Sequence, residues 1–248
     1  MYKIVRKENL NPTVTLMEVE APLIAKKAEP GQFIILRVDA DGERIPLTVA
    51  DFDREKGTIT IIFQIVGATT AKLNHLNEGE YIHDFVGPLG VASHTEGLKK
   101  VAVIGGGVGC AIAYPIAKKL HNQGTEVHAI VGFRNKDLVI LEDQFEAASS
   151  KLVMMTDDGS YGEKGYPTQH PILTEQFDHI FCCGPEPMMK AVARYAYSKH
   201  IDCEVSLENT MACGIGACLC CVNDTKEGHK CVCTDGPVFN INDLKWQI

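Results

Sequence analysis

Cysteines are concentrated near the end of the chain at a spacing that suits a metal centre. Four of the ten cysteines follow the pattern Cys213-x4-Cys218-x2-Cys221, with Cys233 further along the chain. A tight C-x4-C-x2-C loop with one distant cysteine is the ligand spacing of a plant-type [2Fe–2S] cluster. Glycines inside the loop let the backbone turn its N–H groups towards the sulfurs. The spacing therefore predicts these four cysteines as the ligands of a [2Fe–2S] cluster.

A structural zinc ion is the alternative for the same segment. Zinc also takes four thiolates, usually from paired C-x2–4-C knuckles. Cys218 and Cys221 together with Cys231 and Cys233 would supply such a set. Cys220 and Cys231 exceed the four ligands that one cluster needs, and we interpret both as small apolar packing residues.

A glycine-rich segment is the second candidate site. Gly105-Gly106-Gly107-Val108-Gly109 follows an apolar run at 101–104 and precedes a helical pattern. N–H groups at such a helix start would face a pyrophosphate. Cys110 stands where the Rossmann fingerprint has its third glycine, so the segment departs from that fingerprint. A tight strand-to-helix turn without a ligand is the alternative interpretation.

Two further strand ends carry residues suited to a nucleotide. Gly184-Pro185-Glu186-Pro187 follows the apolar run 179–183 and opens a helix, and open α/β sheets bind ligands at such carboxyl ends. Arg134 follows the apolar run 127–132, where an arginine meets the 2′-phosphate of NADP. A solvated turn residue is the equal alternative for Arg134.

The hydrophobic patterns predict two kinds of element. Short alternating runs at 32–38 and 58–65, separated by Pro- and Gly-containing turns, favour a small antiparallel barrel. Beyond residue 98, apolar strand candidates alternate with helical stretches at 112–122 and 187–200, which favours a parallel sheet. The predicted fold class is α/β plus β-barrel. The predicted domains are a barrel (1–97), a nucleotide-binding α/β domain (98–203) and a small C-terminal cluster module (204–248).

Composition excludes several classes of protein. A net charge of −8 disfavours nucleic acid, because phosphate binding needs clustered Lys and Arg. The start of the chain has no apolar signal region, and the apolar stretch 101–117 contains four glycines and Pro115, so we expect neither secretion nor a membrane span. Ten cysteines then indicate metal or redox chemistry in the cytoplasm.

The order of these motifs along the chain resembles a known family over essentially its whole length. It is similar to the electron-transfer subunit of class 1B dihydroorotate dehydrogenase and to the small subunit of NADH-dependent ferredoxin:NADP oxidoreductase, both in the ferredoxin reductase superfamily. The resemblance implies an FAD-binding barrel, an NAD(P) domain and a [2Fe–2S] module. It implies electron transfer from NAD(P)H through FAD and the cluster to a partner flavoprotein, with ferredoxin as a further candidate partner.

The resemblance also implies which residues bind the cofactors. The FAD residues would be the R-x-P-L-T match and a neighbouring turn: Arg44, Pro46, Leu47, Thr48, Gly67, Thr69 and Thr70. The nicotinamide nucleotide residues would be Gly105, Gly106, Gly107, Val108, Gly109, Asp158, Gly184 and Pro185. No catalytic acid or base is assigned, because the cofactors supply the chemistry.

The partner subunit differs between the two relatives. Cys213 within Met211-Ala212-Cys213-Gly214 resembles the dihydroorotate dehydrogenase type, since the ferredoxin:NADP type is expected to carry Asp at that position. Arg44-Ile45-Pro46 lacks the double arginine of the dihydroorotate type and points to the large subunit of a ferredoxin:NADP oxidoreductase as the alternative partner. A redox-sensing or zinc-stabilised module without enzymatic activity is a further alternative.

Overall fold

The computed structural model describes residues 1–246 and divides into two compact units. The first unit contains Met1–Ser93, Glu208–Asn223 and His229–Pro237. The second contains His94–Leu207, Asp224–Gly228 and the stretch that begins at Val238. Residues after Leu207 thus contribute to both units. The three consecutive domains expected at 1–97, 98–203 and 204–248 divide the chain differently, and that division stays a prediction.

The first unit is built from antiparallel strands. Its elements in the first 93 residues are β1 (Tyr2–Asn11), β2 (Val14–Glu20), α1 (Pro22–Ala25), β3 (Phe33–Arg37), β4 (Arg44–Thr48), β5 (Asp51–Asp53), β6 (Thr58–Gln64), α2 (Ala68–His75), β7 (Tyr81–Ile82) and β8 (Asp84–Leu89). They form a five-stranded sheet in the order β5-β6-β2-β1-β7 and a three-stranded sheet in the order β4-β3-β8. Neighbouring strands run antiparallel, which confirms the predicted antiparallel barrel.

Apolar side chains fill the interior of this unit. Met17, Ile34, Ile61 and Phe85 are at most 1% exposed, and the predicted runs 32–38 and 58–65 correspond to β3 and β6. Strand β4 lies at the edge of its sheet and pairs with β3. An edge position suits Pro46, because proline has no backbone N–H to donate to a second neighbour.

The second unit is a parallel sheet with helices. Its elements up to residue 206 are β9 (Lys100–Gly106), α3 (Cys110–Asn122), β10 (Glu126–Phe133), α4 (Glu142–Ala147), β11 (Lys151–Thr156), β12 (Glu163–Lys164), β13 (His179–Cys183), α5 (Glu186–Lys199) and β14 (Asp202–Ser206), with 3₁₀ turns at Gly107–Gly109, Lys136–Leu138, Pro167–Gln169 and Pro171–Thr174. The strands are ordered β12-β11-β10-β9-β13-β14, and all of these pairs are parallel. The predicted parallel sheet is confirmed.

The apolar strands of this sheet are covered on both faces. All five residues of β13 and seven of the eight residues of β10 are buried, as expected for parallel strands flanked by helices. The apolar stretch 101–117 divides into β9, a 3₁₀ turn and α3. Among residues 1–246, no helix combines the length and the apolar character that crossing a membrane requires.

The final segment contains β15 (Val222–Thr225), β16 (Gly228–Cys231), α6 (Val232–Asp235) and β17 (Val238–Asn240). Strands β15 and β16 form a two-stranded sheet. Strand β17 pairs antiparallel with β14 and becomes the last strand of the parallel sheet.

Glu204 on β14 has a buried carboxylate oxygen, Oε2, with no hydrogen-bond partner within residues 1–246. Burial raises the pKa of this carboxyl from 4.5 to about 7, although the backbone N–H of His94 lowers it by donating to the carboxylate. The native state therefore binds more protons than the unfolded state between about pH 4.5 and pH 7. The contribution of the protonated Glu204 carboxyl to the free energy of unfolding is fully present below about pH 4.5. It is lost as the pH rises through about 7.

We expect Glu204→Gln to raise the melting temperature at pH 8 by a few degrees and to have little effect near pH 5. The shift sets an upper limit of about 3 kcal/mol at about 1.4 kcal/mol per pKa unit, and partial solvent contact reduces it. Thermal unfolding followed by circular dichroism measures the difference. Glu96→Gln, which removes the same charge from an exposed site, is the control. Equal gains at both pH values would contradict the prediction.

Candidate functional site

The loop from Cys213 to Cys218 wraps around the sulfur of Cys213. That sulfur accepts hydrogen bonds from the backbone N–H groups of Ile215 and Cys218, each at 3.4 Å. Gly214 and Gly216 have φ angles of +75° and +76°, a left-handed conformation that glycine adopts without steric cost. Hydrogen bonds to the sulfur favour its thiolate form, which is the form that binds metal.

The other two predicted ligands reach this loop from separate positions. Cys233 lies in α6, and its sulfur accepts the backbone N–H of Gly216 at 3.2 Å. The N–H of Cys233 donates in turn to the sulfur of Cys221 at 3.4 Å. Cys221 and Cys233 are buried, whereas Cys218 is exposed. Local contacts thus connect all four predicted ligands within the first unit.

The pKa values of Cys213 and Cys233 are shifted in opposite directions. The N–H groups of Ile215 and Cys218 lower the pKa of Cys213 to about 6. Burial and then the neighbouring Cys221 thiol raise the pKa of Cys233 to about 11. In residues 1–246, no group of three or more His, Cys, Asp or Glu side chains is arranged to hold a metal ion. The N–H donors and the glycine turns fit a thiolate-bound cluster, and the assignment of the four ligands stays a prediction.

The two surplus cysteines have different environments. Cys231 is half-buried, and its backbone N–H donates to Asp235 Oδ2 at 2.7 Å. Burial and then the proximity of Cys221 raise the pKa of its thiol. Cys220 is exposed, so the prediction that it packs as a small apolar residue is wrong. The preceding residue, Leu219, has a φ angle of +57° and is itself exposed.

The cluster loop is attached to the barrel strands at two points near Cys213. A Cβ atom on Gly214 would lie 2.6 Å from Ile35 Cδ1 and 2.9 Å from Leu89 Cδ1, so the loop backbone packs directly on β3 and β8. The Nε–H of Arg44 on β4 donates to the carbonyl oxygen of Ala212 at 2.9 Å. Both contacts position the loop against the three-stranded sheet.

A third attachment lies beyond Cys233. The backbone N–H of Val91 donates to the carbonyl oxygen of Gly236 at 2.7 Å. Gly90 has a φ angle of +78°, and a Cβ at this position would lie 2.6 Å from the same carbonyl oxygen. The segment after α6 therefore lies against the end of β8 with no room for a side chain between them.

The residues expected to bind FAD lie on β4 and at the start of α2. Arg44, Pro46, Leu47 and Thr48 are all half-buried on β4. The neighbouring group lies at the N-terminus of α2, where the space around Gly67 is open. Their assignment to FAD stays a prediction.

Two hydroxyls of the predicted FAD group already have partners in the protein. Thr70 Oγ1 accepts the backbone N–H groups of Val66 and Gly67 at 3.0 and 3.1 Å, so Thr70 also caps α2. Thr69 Oγ1 donates to Glu43 Oε2 at 2.7 Å. Thr70 thus has a structural role that the motif did not indicate.

The glycine turn joins β9 to α3 as the sequence predicted. Strand β9 ends at Gly106, a 3₁₀ turn follows, and α3 begins at Cys110. A Cβ on Gly109 would lie 2.7 Å from the carbonyl carbon and oxygen of Cys183 and from Gly184 Cα. Gly107 has a φ angle of +55° and open space around it. Close packing against Cys183 and Gly184 requires a glycine at position 109, and the positive φ angle favours a glycine at position 107.

Two of the predicted nucleotide segments meet here. A Cβ on Gly184 would lie 3.0 Å from Gly106 Cα and N, so the Gly184-Pro185 turn lies against the glycine turn.

Asp158 lies away from these two turns, on the exposed loop between β11 and β12, and its Oδ1 accepts the N–H of Ser160 at 2.9 Å. A hydrogen bond from the Ser160 side chain lowers the pKa of the Asp158 carboxyl. Arg134 is exposed at the end of β10.

Cys110, which replaces the third glycine of the dinucleotide fingerprint, is a packing residue. It is fully buried, and a Cβ on Gly105 would lie 2.8 Å from its sulfur. Burial and then the nearby Cys183 raise the pKa of its thiol. A buried thiol of this kind is unreactive.

We expect Gly109→Ala to destabilise the second unit by about 1–3 kcal/mol, because the added methyl meets rigid backbone rather than a movable side chain. The affinity for NADH should fall with it, since the turn must shift. Urea unfolding and titration of NADH measure the two effects. Gly124→Ala is the control for the affinity for NADH, because Gly124 has a φ angle of +86° and open space around it, so an added methyl costs about 1–2 kcal/mol of backbone strain without a clash. A Gly109→Ala variant as stable as the wild type would contradict the prediction.

Two known protein domains match the sequence, one within the predicted nucleotide-binding domain and one within the predicted cluster module. Residues 103–194 match the oxidoreductase NAD-binding domain, and residues 208–245 match the iron–sulfur cluster binding domain of dihydroorotate dehydrogenase B. An uncharacterized protein from the adh 3′ region of Clostridium beijerinckii is 45% identical, over 97% of this chain and 85% of that protein. The dihydroorotate dehydrogenase B (NAD(+)) electron transfer subunit homolog of Thermotoga maritima is 39% identical, over 99% of this chain and 88% of that protein. The chain belongs to the dihydroorotate dehydrogenase B electron transfer subunit family.

A solved relative agrees with this family membership. A chain from the structure of an NADH-dependent reduced ferredoxin-NADP oxidoreductase, described for flavin-based electron bifurcation, superposes with a TM-score of 0.93 at 36% identity. The match covers 99% of this chain and 90% of that chain. This electron transfer subunit homologue is therefore an oxidoreductase subunit with FAD, iron–sulfur and NAD(P) cofactors. The predicted family, fold class and cofactors are confirmed.

Sequence reasoning missed the contacts that attach the cluster loop of this family member. The bond from Arg44 to Ala212 joins residues 168 positions apart, and no local motif marks it. The fit of Gly90 against Gly236 is equally remote in sequence. Gly214 did carry a signal, because a glycine directly after a predicted ligand indicates a close backbone approach.

Proposed function

We propose that this chain transfers electrons from NAD(P)H to a partner flavoprotein, as the electron-transfer subunit of a dihydroorotate dehydrogenase B type complex. The observation that carries the proposal is that backbone N–H groups donate to the sulfurs of Cys213, Cys221 and Cys233, with Cys218 supplying one of the N–H groups that bind the Cys213 sulfur. FAD and a [2Fe–2S] cluster, when bound, convert the two-electron chemistry of the nicotinamide into single-electron transfer. The chain itself binds and orients these groups.

The four cysteines are proposed as the cluster ligands, with Cys220 and Cys231 outside the ligand set. Hydrogen bonds to ligand sulfurs tune the potential of such a cluster. The N–H groups of Ile215, Gly216 and Cys218 are placed to do so. Exposure of Cys218 would leave one side of the cluster accessible to a partner.

The remaining cofactor residues are proposed from their positions. FAD is assigned to the half-buried β4 residues and the start of α2 (Arg44, Pro46, Leu47, Thr48, Gly67, Thr69 and Thr70). NAD(P) is assigned to the turns at the carboxyl ends of the parallel strands (Gly105, Gly106, Gly107, Val108, Gly109, Asp158, Gly184 and Pro185). The second group is supported by the contact between the Gly106 and Gly184 turns.

The proposed partner is a flavoprotein subunit of the dihydroorotate dehydrogenase type. A cysteine rather than an aspartate at position 213 supports this choice. The solved ferredoxin-NADP oxidoreductase chain at a TM-score of 0.93 favours the large subunit of such an enzyme as the second candidate, with ferredoxin as a further reactant. We also propose a cytoplasmic location, because the cysteines of residues 1–246 form no disulfide bonds, as expected in a reducing compartment.

Isolation of the protein from its own cells tests the proposal. An affinity-tagged chain should co-purify with one flavoprotein subunit, and the complex should show flavin and iron–sulfur absorption that NADH bleaches anaerobically. Turnover with dihydroorotate and NAD⁺ supports the first candidate partner, and NADPH-dependent reduction of ferredoxin with NAD⁺ supports the second. A colourless zinc protein would exclude both.

A further inference from the structure

Arg44 links the strand assigned to FAD with the loop that carries the first cluster ligand. It is the first residue of β4, and its Nε–H donates to the carbonyl oxygen of Ala212 at 2.9 Å. Ala212 immediately precedes Cys213. The Cys213 sulfur in turn accepts hydrogen bonds from the backbone N–H groups of Ile215 and Cys218. A movement of the guanidinium is therefore transmitted to the backbone next to the first ligand.

The guanidinium has donors left for a second ligand. Arginine carries five N–H donors in a planar fork, and the bond to Ala212 uses only the one on Nε. Nη1 and Nη2 make no hydrogen bond or ion pair with the part of the chain that the structure describes. The adjacent carboxylate of Glu43 is bonded to Thr69 Oγ1 instead. A fork of this kind matches two oxygens of a phosphate group.

We propose that Arg44 couples the binding of FAD to the order of the cluster loop. A phosphate held on the free fork fixes the plane of the guanidinium, and the same rigid plane directs Nε–H at Ala212. This inference rests on the proposed function, because it takes FAD as the ligand of β4. Coupling between two sites is reciprocal, so an ordered loop strengthens FAD binding by the factor by which FAD orders the loop.

The coupling acts on a loop that keeps other attachments. Gly214 still packs on Ile35 and Leu89, and Val91 still holds Gly236, when Arg44 is replaced. Loss of the arginine therefore loosens the loop without releasing it. The N–H groups of Ile215 and Cys218 report this loosening, because they exchange with solvent only when their bonds to the Cys213 sulfur open.

Hydrogen–deuterium exchange of cluster-loaded protein with and without FAD tests the coupling. In the wild type, FAD should slow exchange in the peptide covering residues 211–218 by about 5-fold or more, the lower end of typical coupling between sites. Arg44→Lys should remove this FAD dependence, since a single ammonium cannot hold the carbonyl and a phosphate in one rigid plane. Arg54→Lys is the matched control, because Arg54 Nη2 donates to the carbonyl oxygen of Ala28 at 2.9 Å, away from the cluster loop.

The outcomes separate this inference from the proposed function. Wild-type protein that binds no FAD contradicts both. Protein that binds FAD with unchanged exchange in residues 211–218, or with slowing that persists in Arg44→Lys, overturns only the coupling. If Arg44→Lys does not fold, the wild-type comparison decides, and FAD should also bind about 5-fold more weakly to Cys218→Ser than to the wild type. Equal FAD affinities would overturn the inference.

Discussion

Replacement of Cys218 by serine is expected to remove the iron–sulfur cluster while NADH continues to reduce the flavin. Cys218 is exposed, and its backbone N–H, which serine retains, is the group that donates to the Cys213 sulfur. The fold should therefore tolerate the change. Serine is a hard oxygen ligand in a site suited to soft thiolates. Loss of a residue that only hydrogen-bonds to a metal ligand already lowers metal affinity or activity by about 10- to 100-fold. Loss of a ligand itself should therefore reduce electron delivery to the partner by at least about 100-fold.

Cys220→Ser is the matched control for this prediction. Cys220 is also exposed, lies two residues from Cys218 and is outside the proposed ligand set. This variant should keep the absorption, the electron paramagnetic resonance signal and the electron delivery of the wild type. Anaerobic titration with NADH and stopped-flow reduction of the partner measure both variants. Undiminished delivery in Cys218→Ser would contradict the proposed electron path, and loss of the cluster in Cys220→Ser would contradict the ligand set.

The fold was predictable where the sequence carries a local pattern. The run 179–183, which is apolar after His179, corresponds to β13, because a strand covered on both faces consists largely of apolar residues. The change from apolar strand to glycines to helical periodicity located the turn between β9 and α3. The spacing of Cys213, Cys218 and Cys221 is also a local pattern, because these three cysteines follow one another within a short loop.

The attachments of the site were not predictable, because they join segments that are far apart in the chain. Nothing near Arg44 indicates that its Nε–H bonds a carbonyl 168 residues away. The final segment contributes to both compact units, whereas its composition suggested one independent module. The prediction for Cys220 was wrong for a related reason, since burial depends on where the folded chain places a residue and not on its type alone.

Gly214→Ala is expected to destabilise the first unit by about 2–5 kcal/mol and to reduce its iron content. The φ angle of +75° costs a residue with a side chain about 1–2 kcal/mol. The new methyl would lie 2.6 Å from Ile35 Cδ1 and 2.9 Å from Leu89 Cδ1, and such overpacking costs about 1–3 kcal/mol. Iron should be lost because the loop must lift from β3 and β8 to make room, which displaces Cys213. Urea unfolding and iron analysis measure the two effects.

Two further variants separate backbone strain from the steric clash. Gly79→Ala carries the strain alone, because Gly79 has a φ angle of +88° and open space around it, and it should cost about 1–2 kcal/mol with full iron content. Ile35→Val removes the Cδ1 atom that the new methyl would meet, at a cost of about 0.5–1.5 kcal/mol in the wild type. In the Gly214→Ala background the same change should cost less or stabilise the protein, because it relieves the clash. Additive free energies of unfolding in this double-mutant cycle would show that the loop does not rest on Ile35.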